Sequence, residues 1–248
     1  MLTVTINNPA QLNAIATHMD DELPRIFFEA DRCAEVEIIV LTGEGRAFSA
    51  GGDLEGMKKN LDGIENFLAG YRNGKRFMQM MLDTEKPIIG KVNGDAVGMG
   101  CTLALCCDIV IANETARFGD PHVRVGLAAG DGGAIFWPKN IGMALAKYFI
   151  LTGDLVSATE ARQMGLIAKA VPADQLDAEV ERVINRLRSN SMVALRFSKS
   201  IANIPLRQDL ASMVDAGFAL ESISSQLADH KEAVHAFVDK RKPQFRKN

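Results

Sequence analysis

Three short runs of this chain are apolar at nearly every position: residues 36–42 (VEIIVLT), 87–92 (PIIGKV) and 108–112 (DIVIA). A strand with one wet face alternates apolar and polar residues, whereas a strand covered on both faces does not. Such runs therefore point to a largely parallel sheet buried between layers. Residues 1–6 alternate β-branched side chains and read as a further strand, ended by Asn7, Asn8 and Pro9. Helical spacing fills the gaps. Leu23, Ile26, Phe27 and Ala30 fall on one face of a helix over 19–32, and further helices are predicted over 54–82 and 98–106. Strands that alternate with helices require crossover connections, so the fold class is α/β.

The pattern changes after about Thr152. Ser157 with Glu160 three residues on is a capping box that opens a helix, and Gly165 ends it. A short strand is predicted over 166–171, before Pro172. The remainder reads as helix over 174–188, 191–202, 206–227 and 230–240. This division predicts a core over residues 1–190 and a helical module over 191–248. No internal repeat is present.

Composition then excludes whole classes of function. With 248 residues, 47% hydrophobic and 24% charged, the chain has ample material for a core. No apolar run reaches the roughly 18 residues that cross a bilayer, so no membrane partner is expected. The opening MLTVTINNPAQLNAI does not read as a secretory signal. A net charge of −3 argues against nucleic acid as partner, and the basic ending KRKPQFRK reads as a solvated tail. Cys33, Cys101, Cys106 and Cys107 show no zinc or disulfide spacing. Buried reduced thiols fit a cytoplasmic location. No metal site is expected.

Three segments are suited to chemistry. Ala47–Phe48–Ser49–Ala50–Gly51–Gly52–Asp53 follows a strand and precedes a helix, and its small residues let backbone N–H groups approach a ligand. Asn93–Gly94–Asp95–Ala96–Val97–Gly98–Met99–Gly100 has the same setting. Two such turns together make a two-donor oxyanion hole. The glycine spacing is that of neither a dinucleotide fingerprint nor a P-loop. The third segment, Phe118 to Gly133, places His122 nine residues before Asp131 in a glycine-rich turn. His is the side chain best matched to proton transfer near neutral pH, and an Asp can orient it. Read singly, Asp131 also suits the N-cap of the helix that follows. His18, after the first turn, reads as a surface residue at a helix start that could also reach a pocket.

Taken in order, these segments resemble the crotonase superfamily, the enoyl-CoA hydratase/isomerase family. The motifs that carry the likeness are IIVLTGEGRAFSAGGDL, KPIIGKVNGDAVGMGCTLALCCDIVIA, RFGDPHVRVGLAAGDGGAIFWP, ILTGDLVSATEARQMGLIAKAVP and DHKEAVHAFVDKRKPQF. The resemblance implies a ββα superhelical spiral core followed by a C-terminal helical module that forms a homotrimer or a dimer of trimers. It implies an acyl-CoA thioester as substrate, with coenzyme A part of that substrate and no separate cofactor. By motif position the thioester oxygen would lie between the N–H groups of Gly52 and Met99, Ala50 and Gly52 would flank the adenine end of coenzyme A, and Gly98, Thr102 and Phe245 of the closing segment would contact substrate. The two catalytic glutamates of hydratases fall on Thr102 and His122, so neither carboxylate is present. That leaves His122 as the acid/base. The His122–Asp131 pair is also similar to the dyad of crotonase-fold retro-Claisen hydrolases, which cleave β-diketones, and Glu221 falls near an additional pocket carboxylate of those enzymes. Their second oxyanion-region histidine is Met99 here.

Overall fold

The computed structural model describes residues 1–15 and 19–245. His18 and the last three residues of the basic ending lie outside that range.

The five predicted strands form one parallel sheet. They are β1 (Leu2–Ile6), β2 (Ile39–Gly43), β3 (Ile88–Val92), β5 (Ile109–Asn113) and β8 (Lys169–Val171), in the order β1-β2-β3-β5-β8. Strands β4 (Ala96–Val97), β6 (Arg117–Gly119) and β7 (Val156–Ser157) make a second, three-stranded sheet.

The near-continuous apolar runs have a direct cause. Ile39 and Leu41 of β2, with Ile88 and Val92 of β3, point into the main core. Their neighbours Ile38, Val40, Ile89 and Ile111 point the other way, onto Leu176, Val180, Val183 and Ile184. Those four come from α8 (Leu176–Arg188), which covers the second face.

The crossovers are α1 (Met19–Arg32) between β1 and β2, and α2 (Leu54–Asn60) with α3 (Ile64–Asp83) between β2 and β3. The single helix predicted over 54–82 is thus two. The break falls at Asp62-Gly63, a turn dipeptide that outweighs the apolar periodicity on either side of it. The strand predicted from residue 36 begins only at Ile39, because Val36 N–H bonds Cys33 O in the turn that leaves α1. Helix α4 (Met99–Leu105) precedes β5, and α5 (Gly133–Ile141), α6 (Met143–Thr152) and α7 (Ala158–Gln163) follow β6. The Ser157 capping box forms as predicted: the hydroxyl accepts from Glu160 N–H while Glu160 Oε2 accepts from Ser157 N–H.

The tail comprises α9 (Met192–Ala202), α10 (Ile204–Ser225) and α11 (Ala228–Val238). Helix α10 returns to the front of the molecule. Its Leu210, Val214 and Phe218 join the main core, and the Phe218 ring meets Tyr71 of α3 edge to face at 5.0 Å. All four cysteines are free. Cys101, Cys106 and Cys107 are buried, and Cys33 is half-buried.

Candidate active site

The two glycine turns are stitched together from below. Buried Asn13 donates to Glu44 O and Ala47 O, and Ser49 Oγ donates to Asn13 O, each at 2.8 Å. Phe48 N–H and Ser49 N–H both bond Asp95 O, and Val97 N–H returns to Ser49 O at 2.9 Å. The first turn is thereby pinned to the second. Gly51, at φ 89°, shows how closely they approach, since a Cβ there would lie 2.7 Å from Val97 O and 3.4 Å from Met99 N. Gly98, at φ 55° and ψ −126°, then turns the chain into α4. No described group accepts a hydrogen bond from Gly52 N–H or Met99 N–H. Both donors remain free for a ligand oxygen, which is what an oxyanion hole requires.

Beside these turns stands His122. A Cβ on Gly98 would lie 3.7 Å from His122 Cε1, so the imidazole adjoins the second turn directly. His122 opens a 3₁₀ turn over His122–Val125, just after β6. Its Nδ1 bonds Asp120 Oδ1. Its Nε2 lies 3.3 Å from Asp131 Oδ2 and 3.8 Å from Glu221 Oε1. Asp120, Asp131 and Glu221 are all buried, and His122 keeps 11% of its side-chain surface.

A close approach of two glycines brings Glu221 to the cluster. A Cβ on Gly130 would lie 2.2 Å from Gly217 O, and one on Gly217 would lie 2.7 Å from Gly130 O. Helix α10 therefore presses backbone to backbone against the turn that carries Asp131. One helical turn beyond Gly217, Glu221 reaches the imidazole. Ser224 Oγ, on the same helix, accepts from Ala128 N–H at 3.0 Å.

The electrostatics follow from burial. Burial by itself disfavours the imidazolium, but the attraction and hydrogen bonds of Asp120 and Asp131 outweigh it and hold the pKa of His122 well above its ordinary value. Burial pushes Glu221 well above the usual carboxylate range. His122 opposes that rise, and Asp131 and Asp120 add to it. Both shifts favour the protonated form, of the imidazole and of the Glu221 carboxyl alike.

His122, Asp131 and Glu221 share one cavity of about 380 Å³ with Gly52, Gly98 and Met99. Its far walls are apolar, from Met57, Phe67, Tyr71, Phe218 and Phe237, and among the described residues no Lys or Arg lines it. The size suits a small-molecule ligand. Ligating atoms of Asp120, His122 and Asp131 lie within 4.8 Å of one another. The ring stands between the two carboxylates, however, so they meet different nitrogens and do not converge on one point for an ion.

A sequence profile of the enoyl-CoA hydratase/isomerase family matches residues 1–248. The chain belongs to the enoyl-CoA hydratase/isomerase family. A short-chain-enoyl-CoA hydratase of Clostridium acetobutylicum is 37% identical over 250 residues, spanning 99% of this chain and 94% of the relative. A crotonyl-CoA hydratase of Syntrophomonas wolfei is 35% identical, spanning 97% of this chain and 92% of the relative. The crystal structure of an enoyl-CoA hydratase/isomerase from Mycobacterium paratuberculosis superposes with a TM-score of 0.89 at 33% identity, covering 94% of each chain. The crotonase fold expected from the motifs is therefore the fold found.

Within this family frame, several predicted site residues fall where the sequence reading put them. Ala50, Gly52, Gly98, Met99, His122, Asp131 and Glu221 all line the one cavity. Two do not. Thr102 is buried behind the wall, because Gly132 covers it; a Cβ on Gly132 would lie 2.5 Å from Thr102 Cγ2. Phe245 is 40% exposed and away from the cavity, and it is Phe237 of α11 that reaches the wall. Asp131 is not a helix cap, since Gly132 occupies the N-cap of α5. Nor does Asp131 alone orient His122. Asp120 takes Nδ1, and Asp131 faces Nε2 on the cavity side. Asp120 was missed by the sequence reading, although it stands two residues before His122. The glycine pair of residues 130 and 217 left no signal beyond its composition.

Proposed function

We propose that this chain acts on an acyl-CoA thioester through an enolate, with hydration of a short enoyl-CoA as the leading reaction. The observation that carries the reading is the shared cavity: two free backbone N–H groups on one side and the His122 cluster on the other. The thioester oxygen would accept from Gly52 and Met99 N–H as negative charge develops on it. Removing one such donor typically costs about 3 kcal/mol of barrier. Proton transfer falls to the His122 cluster, in place of glutamates at 102 and 122. The relatives named above as hydratases of short enoyl-CoA thioesters support this choice. No cofactor beyond the coenzyme A of the substrate is required. Isomerisation of a double bond uses the same enolate and the same groups.

A second reading is retro-Claisen cleavage of a β-diketone. The 3.3 Å contact between His122 and Asp131 favours it, as does a cavity that no Lys or Arg lines among the described residues. Water would attack one carbonyl and the C–C bond would break to an enolate held by the same donors.

Residues 191–248 form the oligomerisation module in this reading, and the assembly is a homotrimer or a dimer of trimers. Free thiols and the substrate class both fit the cytoplasm.

The test is a paired assay of wild type and His122→Ala. Crotonyl-CoA is followed by loss of enoyl absorbance, and a cyclic β-diketone by acid formation. Turnover of the enoyl-CoA, with a loss of about a hundredfold or more in His122→Ala, is the expected result. Turnover of the diketone alone would overturn the leading reading in favour of the second. Inertness toward both would sink the two together.

A further inference from the structure

Each ring nitrogen of His122 has a carboxyl group beside it. Nδ1 is bonded to Asp120, and Nε2 faces Asp131 at 3.3 Å and Glu221 at 3.8 Å. A general base needs a lone pair within reach of the proton it takes. The polar atoms that are free lie elsewhere. Asp131 Oδ1 and Glu221 Oε2 are buried, on residues that line the cavity, and have no hydrogen-bond partner. Buried carboxylate oxygens without partners are rare, because leaving them so costs free energy.

We propose that Asp131 and Glu221 are the groups that exchange protons with the substrate, and that His122 is a fixed cation, held by Asp120, that positions the two. This deepens the enolate reading above and rests on it. It means that two carboxylates serve this site as well, supplied by the turn before α5 and by α10 rather than by positions 102 and 122.

In hydration the nucleophile is water. Asp131 carboxylate takes one proton from water as the water oxygen bonds the β-carbon. The double-bond electron pair moves to the thioester, giving the enolate that Gly52 and Met99 N–H hold. Glu221 carboxyl then gives its proton to the α-carbon. Asp131 ends protonated and Glu221 ionised. A proton passing from Asp131 to Glu221, which approach the same Nε2, restores the site. Burial favours the protonated form of Glu221, which suits the donor's part. Two neighbouring carboxyls in opposite protonation states are a common arrangement for paired acid and base roles.

Two measurements test this, and only one depends on turnover. Nitrogen-15 spectra of histidine-labelled protein, with the His122 signals identified from His122→Gln, should show both ring nitrogens carrying protons at neutral pH. A bare ring nitrogen on His122 would overturn the proposal whatever the substrate proves to be. The second measurement is exchange of the α-proton of butyryl-CoA in deuterated water, run beside crotonyl-CoA hydration. Asp131→Asn and Glu221→Gln, both isosteric, should each lower kcat by about a hundredfold or more with KM nearly unchanged. Added formate should restore part of the rate of Asp131→Ala, while added imidazole should restore none to His122→Ala. Imidazole rescue, with Asp131→Asn and Glu221→Gln within about tenfold of wild type, would return the proton-transfer role to the histidine. A wild type that neither hydrates nor exchanges would remove the enolate reading itself, and the nitrogen spectra would still decide whether His122 has a free lone pair.

Discussion

At the scale of the residue, one histidine organises this site through its two edges. Asp120 sits behind it, Asp131 and Glu221 sit in front, and His230 is the nearby group whose charge would oppose its own. The folded-state pKa of His122 lies above its unfolded value, so its contribution to stability is complete below about pH 6.5 and is lost as pH rises through the folded value. Glu221 has the same sign. Its raised pKa favours the folded state at low pH, and that advantage is lost as pH climbs from about 4.3 through the raised value. The Tm of wild type should therefore fall on going from about pH 6.5 into the alkaline range. The fall should be shallower in the His122→Gln/Glu221→Gln double variant. Calorimetry across that range checks this, and parallel curves for the two proteins would refute the assignment of charge. Of the residues in the cluster, His122 and Asp131 stood out in the sequence by chemistry and spacing. Asp120 did not, because an Asp before Pro121 reads as an ordinary turn residue until the ring is seen bonded to it.

At the scale of the element, caps and turns can be tested apart from the chemistry. Ser157→Ala removes the hydroxyl that accepts from Glu160 N–H and should cost about 1 kcal/mol. For a chain of this size that is roughly 2–4 °C in Tm. Activity should stay unchanged, since α7 does not touch the cavity. Gly98→Ala makes the contrasting case. A Cβ there meets nothing closer than 3.7 Å, so space is not the obstacle. The obstacle is φ 55° with ψ −126°, which a residue with a Cβ adopts only at a cost of about 1–3 kcal/mol. Relief of that strain would rotate the Met99 N–H. The expected result is a loss of about a hundredfold in kcat on crotonyl-CoA, with a smaller change in KM. An unchanged kcat would remove Met99 N–H from the oxyanion hole. These turns were legible because glycine and a capping box are local signals. The division of the 54–82 helix was less so, since apolar periodicity runs through both halves and only Asp62-Gly63 marks the break.

At the scale of the whole molecule, the site exists because α10 returns to the core. Gly217→Ala tests this with two opposed effects of known size. Ala in a helix interior gains about 1 kcal/mol over Gly. A Cβ at that position would nevertheless lie 2.7 Å from Gly130 O, so the helix must withdraw from the turn. The clash should prevail, lowering Tm and moving Glu221 off His122 with a loss of activity on crotonyl-CoA. A more stable and fully active variant would show that the glycine contact does not set the site. The tail also carries an apolar stripe on α9, where Val193, Phe197 and Ile201 are 58%, 61% and 68% exposed at four-residue spacing. A stripe of that kind calls for a covering surface. In sedimentation, wild type should run as a trimer or a multiple of it, and Phe197→Glu should shift the population toward smaller species.

The sequence by itself determined the layered α/β architecture, the two glycine turns and the presence of a histidine where a carboxylate was to be expected. Each of these is written within a short window, as hydrophobic period, glycine placement or motif. What only the tertiary structure decided is which groups face the substrate. Asp120, Asp131 and Glu221 come from three separate segments, and nothing local says which nitrogen of His122 each would meet. Nor does anything local say that Gly132 would screen Thr102 from the cavity. Those outcomes depend on long-range packing, above all on two glycines 87 residues apart that allow a helix and a turn to touch backbone to backbone.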